Sequence, residues 1–141
     1  MKLTPEKSLC QKNQKNIVSK EKGRIHTAIN PDGRFDVRHY HLDGELINNQ
    51  LCCDYLLIND SSKEAYYIEL KGQDIRKAVT QVIAAEKICK EDLMGFKSNF
   101  RIIPSKVRAE ELRSVEYRRL LEKVGTNRLK CQSNKMIETL K

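Results

Sequence analysis

The 141-residue sequence lacks the features of membrane and secreted proteins. It contains no run of about 18 apolar residues, the length that a helix needs to cross a bilayer. Its first residues, MKLTPEKSLCQKNQKN, lack the apolar segment of a secretory signal. Internal repeats and low-complexity segments are absent as well. We therefore expect one globular domain that has no membrane partner.

A disulfide framework is also lacking. The five cysteines are odd in number, and no two of them have CxxC spacing. Free thiols persist in reducing compartments, so cysteine usage predicts a cytoplasmic protein.

Acidic residues are in deficit, with 19 Asp and Glu against 27 Lys and Arg, and the formal net charge is +8. An excess of cations favours an anionic partner, of which nucleic acid is the commonest. A solvated basic surface without a partner is the alternative that charge alone leaves open.

Strand and helix patterns follow a definite order along the chain. We expect residues 1–22 to form a polar arm or a helix, and residues 23–141 to form an α/β domain. Three strands come first, covering residues 34–42, 51–58 and 65–70. A helix capped by Asp74, a fourth strand over 99–107, a helix over 109–125 and a last short strand follow. This order predicts a mixed sheet, a β-meander followed by a β-α-β unit, flanked by helices.

The segment CCDYLLINDSSKEAYYIELKG, residues 52–72, is predicted to be a hairpin. Its turn is centred on Ser61-Ser62, as a tight turn or as a four-residue loop with the same centre. This register places Asp54 opposite Glu69, and strand alternation places Glu69 and Lys71 on one face. Facing carboxylates repel each other unless something compensates them, and a divalent cation compensates both.

The arrangement of Asp54 and Glu69-Leu70-Lys71 on consecutive strands, followed by a helix, resembles the PD-(D/E)xK nuclease superfamily. That group includes restriction endonucleases and Holliday-junction resolvases, and the resemblance covers about residues 35–108. It implies a restriction-endonuclease-like core. It also implies that Asp54 and Glu69 bind Mg²⁺ or Mn²⁺ and that Lys71 is catalytic. The backbone carbonyl of Leu70 is a candidate third ligand.

Other positions match the superfamily less closely. Many members carry a Gln or Lys on the helix after the ExK strand, and Gln81 is the candidate for an assisting role. Cys53 stands before Asp54 where the superfamily name has Pro. Members often carry a Glu on the first helix, and Glu6 and Glu21 are both open as candidates.

Four residues are candidates for contacts with nucleic acid. Lys106 and Arg108 lie at the end of the fourth strand, and phosphates are bound by such cations. His39 and His41 share one face of the first meander strand and are expected to line the cleft. Zinc binding by this HxH pattern is disfavoured because its spacing to the cysteines fits no structural zinc site.

The sequence thus predicts a metal-dependent nuclease acting on nucleic acid, with DNA favoured and a homodimer as the default for cutting both strands. One alternative is a catalytically silent protein of the same fold that binds nucleic acid or inhibits a nucleic-acid-processing or defence complex. A second is a protein-interaction subunit. A third treats the charges of the hairpin as salt bridges on a solvated face. The substrate form, whether single strand, duplex, junction or RNA, is not encoded in any recognisable motif.

Overall fold

The computed structural model describes residues 3–70 and 72–141. The strands in this part of the chain are β1 (Asn16–Glu21), β2 (Arg24–Ile29), β3 (Val37–His41), β4 (Tyr55–Asn59), β5 (Glu64–Glu69), β6 (Lys97–Ile102), β7 (Leu129–Cys131) and β8 (Lys135–Thr139). The helices are α1 (Ile75–Cys89), α2 (Ala109–Leu112) and α3 (Val115–Val124). Within the described ranges, no helix has the length and apolarity needed to span a bilayer.

The larger sheet has the strand order β3-β4-β5-β6-β7. Its first three strands are antiparallel neighbours, so they form the predicted meander. Strand β6 runs parallel to β5, and α1 connects the two, which is the predicted β-α-β unit. The expectation of a mixed α/β sheet is confirmed.

The pairing of β4 with β5 has the predicted register. Leu56 pairs with Tyr67 and Asn59 pairs with Glu64, which leaves the four-residue loop 60–63 between the strands. The Asn59 side-chain oxygen accepts hydrogen bonds from the two central backbone amides of this loop, at 3.1 and 3.2 Å. An asparagine that bonds its own turn in this way fixes the loop and hence the register.

Both faces of the larger sheet are buried, but by different layers. Helix α1 packs on β5 and β6, and α3 packs on α1 and β7. The opposite face, including Leu57 and Ile68, packs against Ile17, Ala28 and Met136 of a second sheet with the order β1-β2-β8. Helices were expected on the flanks, and a sheet takes their place on one side.

The N-terminal expectation is corrected over part of its length. Residues 16–21 form strand β1, not an arm or helix, and the boundary at residue 22 falls inside the β1–β2 turn. Ile17 and Ser19 alternate with exposed residues and are each 1% exposed. Period-two burial of this kind is the pattern of a strand with one covered face.

The helix expected over 109–125 is two helices. Ser114 accepts a hydrogen bond from the Tyr117 amide and caps a new helix, α3. Serine satisfies a free amide at a helix start, so it favours a break and restart over continuation. The expected last strand likewise divides into β7 and β8, which belong to different sheets.

A buried ionic cluster connects the two sheets. Arg101 of β6 donates to both carboxylate oxygens of Glu138 of β8, at 2.7 and 3.0 Å. His26 of β2 lies 2.6 Å from the same carboxylate. Burial alone raises the pKa of Glu138, but the bonds from His26 and Arg101 outweigh it and lower the pKa to about 2. The carboxylate is therefore ionised and ties three strands together.

Arg101→Met is expected to lower the free energy of unfolding by about 3 kcal/mol or more, because it leaves the Glu138 charge buried without its main partner. Urea denaturation measures this loss. The double variant Arg101→Met/Glu138→Gln, which removes both charges, should recover part of it. A loss below about 1 kcal/mol in the single variant, as for an exposed pair, would contradict this role.

Candidate functional site

Two strand ends bring the predicted carboxylates together. Asp54 directly precedes β4, and Glu69 is the last residue of β5. Because these strands are antiparallel, the start of β4 lies beside the end of β5. One further step in the observed register sets Asp54 opposite Glu69.

The two carboxylates are tied to each other's strands. The Asp54 amide donates to Oε1 of Glu69 at 3.2 Å. The Leu70 amide donates to Oδ2 of Asp54 at 2.8 Å. Asp54 is fully buried and Glu69 is 1% exposed. These reciprocal bonds fix the orientation of both side chains, and we call the arrangement the carboxylate clasp.

Strand alternation places the clasp on the helix-covered face of the larger sheet. Leu56 and Tyr67, two residues inward from Asp54 and Glu69, belong to the core beneath α1. Leu70 instead packs in the core between the two sheets. Lys71, the predicted catalytic residue, lies outside the described residues.

Helix α1 begins beside the clasp and delivers Gln81. The Asp74 side chain accepts from the Lys77 amide at 3.2 Å and caps the helix, as predicted. Gln81 is half-buried, and its Nε2 donates to the Cys52 carbonyl at 3.4 Å. The helix therefore places an amide against the segment that leads into Asp54.

A cleft of about 480 Å³ opens at this end of the sheet. Its walls come from the clasp, from the start of α1 and from the β1–β2 turn. The lining residues are Lys22, Arg24, Glu69, Gly72, Gln73, Asp74, Lys77 and Gln81. We call this the carboxylate cleft, and its cations Lys22, Arg24 and Lys77 were not anticipated from the sequence.

A signal for the missed cations was present in the sequence. In NIVSKEKGRIHTAI, β-branched residues lie on both sides of Lys22-Gly23, and a two-residue segment that ends in Gly is typical of a hairpin turn. The polar residues before it obscured this pattern. Lys77 follows the cap residue Asp74 by one helical turn and so faces the same end of the sheet.

The structure does not bring His39 and His41 to this cleft. Their strand presents them to the side of Tyr55, whose ring lies 5.2 Å from His39 and 4.7 Å from His41. His39 is buried, with Nε2 2.8 Å from the hydroxyl of Ser19 in β1. The second sheet thus covers the face on which the sequence placed them. A nucleic-acid contact by either histidine stays a prediction.

Lys106 and Arg108 are exposed in the segment between β6 and α2. Arg108 lines a depression of about 680 Å³ together with Gln73 and Asp74, which also line the carboxylate cleft. Arg108 is therefore placed to contact a ligand that extends from the cleft. Lys106 does not line either depression in the described structure.

The candidate N-terminal acids lie elsewhere. Glu21 pairs with Arg24 across the β1–β2 turn and approaches His41 at 4.0 Å. Glu6 is exposed in a short 3₁₀ turn. In the ranges 3–70 and 72–141, no three or more His, Cys, Asp or Glu side chains are grouped as a metal site.

Cys53 is a poor nucleophile despite its position beside the clasp. Complete burial, followed by the nearby charge of Glu69, raises the pKa of its thiol well above the ordinary value. The thiol is therefore neutral, and nucleophilic cysteine chemistry needs the thiolate.

Comparison with protein-family models, with curated proteins and with solved structures found no match for this chain.

Asp54→Ala is expected to be less stable than Asp54→Asn by about 1–3 kcal/mol, because alanine leaves the buried Leu70 amide without its acceptor. Asparagine retains an oxygen at that position. Urea denaturation of the two variants measures the difference. Equal stabilities would show that the bond from Leu70 to Asp54 does not hold the clasp.

The burial of His39 predicts a pH dependence of stability. Burial first, and then the neighbouring charges of His26 and His41, lower the pKa of His39 to about 4. The unfolded chain, with a pKa near 6.5, binds the proton at higher pH. The free energy of unfolding should therefore fall by about 3 kcal/mol as the pH drops from about 6.5 to 4. In His39→Gln this part of the pH dependence of the free energy of unfolding should vanish. Urea denaturation at successive pH values measures it. An unchanged slope would contradict it.

Proposed function

We propose that the protein hydrolyses phosphodiester bonds of nucleic acid, with DNA as the favoured substrate, in a reaction that requires Mg²⁺ or Mn²⁺. The observation that carries this proposal is the carboxylate clasp, from which Glu69 reaches a cleft lined by cations. Carboxylates suit a hard divalent ion, and cations suit the phosphates of a strand.

The order of elements supports the same conclusion. A meander, a helix and a parallel fourth strand are what the resemblance to PD-(D/E)xK nucleases implies. Asp54 and Glu69 lie at adjacent ends of the second and third meander strands. A restriction-endonuclease-like core is therefore part of the proposal.

The clasp places two acidic side chains in the protein interior, since Asp54 is fully buried and Glu69 is 1% exposed. Aspartate and glutamate are rarely buried to this degree, and buried acidic residues at one end of a sheet support a functional site.

The donor set fits Mg²⁺ or Mn²⁺. It consists of the two carboxylates and the backbone carbonyl of Leu70, all of them oxygen donors. A carboxylate has about four lone-pair sites, so one group accepts both a backbone N–H bond and a cation. Mg²⁺ keeps several waters and takes few protein ligands, so a pair of carboxylates suffices. When bound, the ion supplies positive charge for the phosphate oxygens and promotes the ionisation of water.

The chain's own residues would divide the remaining work. Asp54 and Glu69 would hold the ion, and Lys71, next to the clasp in sequence, would orient or deprotonate the attacking water. Gln81 has both a donor and an acceptor on its amide, and it would orient groups in the cleft. Lys77 would contact a phosphate oxygen.

Cleavage assays on labelled duplex, single-stranded and branched DNA and on RNA test this proposal. Products should form with Mg²⁺ or Mn²⁺ and disappear with EDTA. Glu91→Ala, which removes an exposed acid after α1, is the matched control and should cut like the parent.

Lys71→Ala and Asp54→Ala should separate chemistry from metal binding. Lys71→Ala is expected to reduce the cleavage rate by about 10²- to 10⁴-fold, because it removes the general acid–base group. Its affinity for Mn²⁺ should be retained or increased, because a positive charge two residues from Glu69 in the sequence is removed. Asp54→Ala should lose both activity and ion. Calorimetric titration with Mn²⁺ and single-turnover cleavage measure the two effects.

Two results would overturn the assignment. If Lys71→Ala cuts as well as the parent, Lys71 is only an ion-pair residue. If the parent binds Mn²⁺ no better than Asp54→Ala and cuts none of the substrates, the protein is a silent member of this fold that acts by binding.

A further inference from the structure

The β1–β2 hairpin ends in a turn that forms part of the carboxylate cleft. Lys22 and Gly23 have φ of 45° and 83°, the left-handed values of a two-residue type I′ turn. Glu21 and Arg24 close the ladder on either side of it. Such a turn follows the natural twist of the strands, so it holds the flanking side chains in a defined position.

Arg24 lies on the inner face of the second sheet. Arg24, His26 and Ala28 are alternate residues of β2 and share this face. His26 and Ala28 are fully buried against the larger sheet. At the end of this row the arginine reaches the cleft that Glu69 also lines. Its position in strand β2 therefore directs the side chain toward the site.

The Arg24 Nε is buried and has no hydrogen-bond partner within residues 3–70 and 72–141. Other partly or fully buried arginines are paired. Arg38, Arg101 and Arg128 each lie within 2.9 Å of a carboxylate oxygen. A buried donor without an acceptor is costly, so the Nε of Arg24 differs in this respect from the other buried or half-buried arginines of the described chain.

We propose that Arg24, supported by Lys22, binds a backbone phosphate of the nucleic-acid strand beside the scissile one. A guanidinium presents parallel N–H donors that match two oxygens of one phosphate. The Nε then gains an acceptor that residues 3–70 and 72–141 do not provide. Arg24 is a positioning residue, and it binds the strand while the clasp and Lys71 act on the reacting bond. This inference rests on the proposed function for the location of the strand.

Binding measured without cleavage tests this role. A fluorescent DNA duplex and its single strand are titrated with protein in EDTA at a series of NaCl concentrations. For Arg24→Gln the slope of log K against log salt should fall in magnitude by about 0.9 on duplex or about 0.7 on single strand, the contribution of one phosphate contact. Arg24→Lys should keep the slope and lose affinity, because it retains the charge without the fork.

The matched control is Arg34→Gln, which removes an exposed arginine beyond the opposite end of β2. Its salt slope should equal that of the parent. The melting temperature of Arg24→Gln should be unchanged or raised, because a buried unpaired donor is removed. A salt slope equal to the parent's, or a clearly lower melting temperature, would overturn the inference and make Arg24 a structural residue.

The same measurements separate this inference from the proposed function. If the parent cuts DNA and Arg24→Gln has the same salt slope as the parent, the nuclease assignment holds but Arg24 does not bind the strand. If the parent cuts no substrate but the salt slope is smaller in Arg24→Gln, the phosphate site is supported and the nuclease assignment is rejected. A parent that does not bind either probe overturns the phosphate site directly.

Discussion

The register between β4 and β5 determines where the two carboxylates of the candidate site, Asp54 and Glu69, lie. Strand side chains have a period of two, so a slip by one residue would turn Asp54 and Glu69 to opposite faces. The Asn59 side chain fixes the loop at one end of the hairpin, and the carboxylate clasp closes the other end. The same contacts that specify the register therefore also assemble the site.

The second sheet covers one face of the larger sheet and also supplies one wall of the carboxylate cleft. It covers the face of the larger sheet that carries His39, and the Arg101–Glu138 pair joins the two layers. Its hairpin turn then projects beyond this contact to the carboxylate cleft. One layer thus contributes both to stability and to the cationic rim where a phosphodiester strand would lie.

The sequence predicted the parts that depend on local patterns. The β4–β5 register followed from turn chemistry, and the start of α1 followed from the capping residue Asp74. These features involve neighbours in sequence, for which propensity and period are strong guides.

The rest depended on contacts between distant segments. The second sheet joins β2 to β8, more than 100 residues apart along the chain, so no local pattern revealed it. Residues 16–21 are mostly polar, and their alternation between buried and exposed positions is apparent only when one face is known to be covered. For the same reason His39 was assigned to an open cleft, and Arg24 was not assigned at all.

The central claim is that Asp54 and Glu69 together bind a divalent ion. Anomalous diffraction from crystals grown with Mn²⁺ tests it most directly, because the position of the ion is observed without reference to activity. The account predicts an anomalous peak about 2.1 Å from an oxygen of each of the two carboxylates, the contact distance of a hard divalent ion such as Mg²⁺. Saturation with Mn²⁺ that leaves no peak between Asp54 and Glu69 would contradict it.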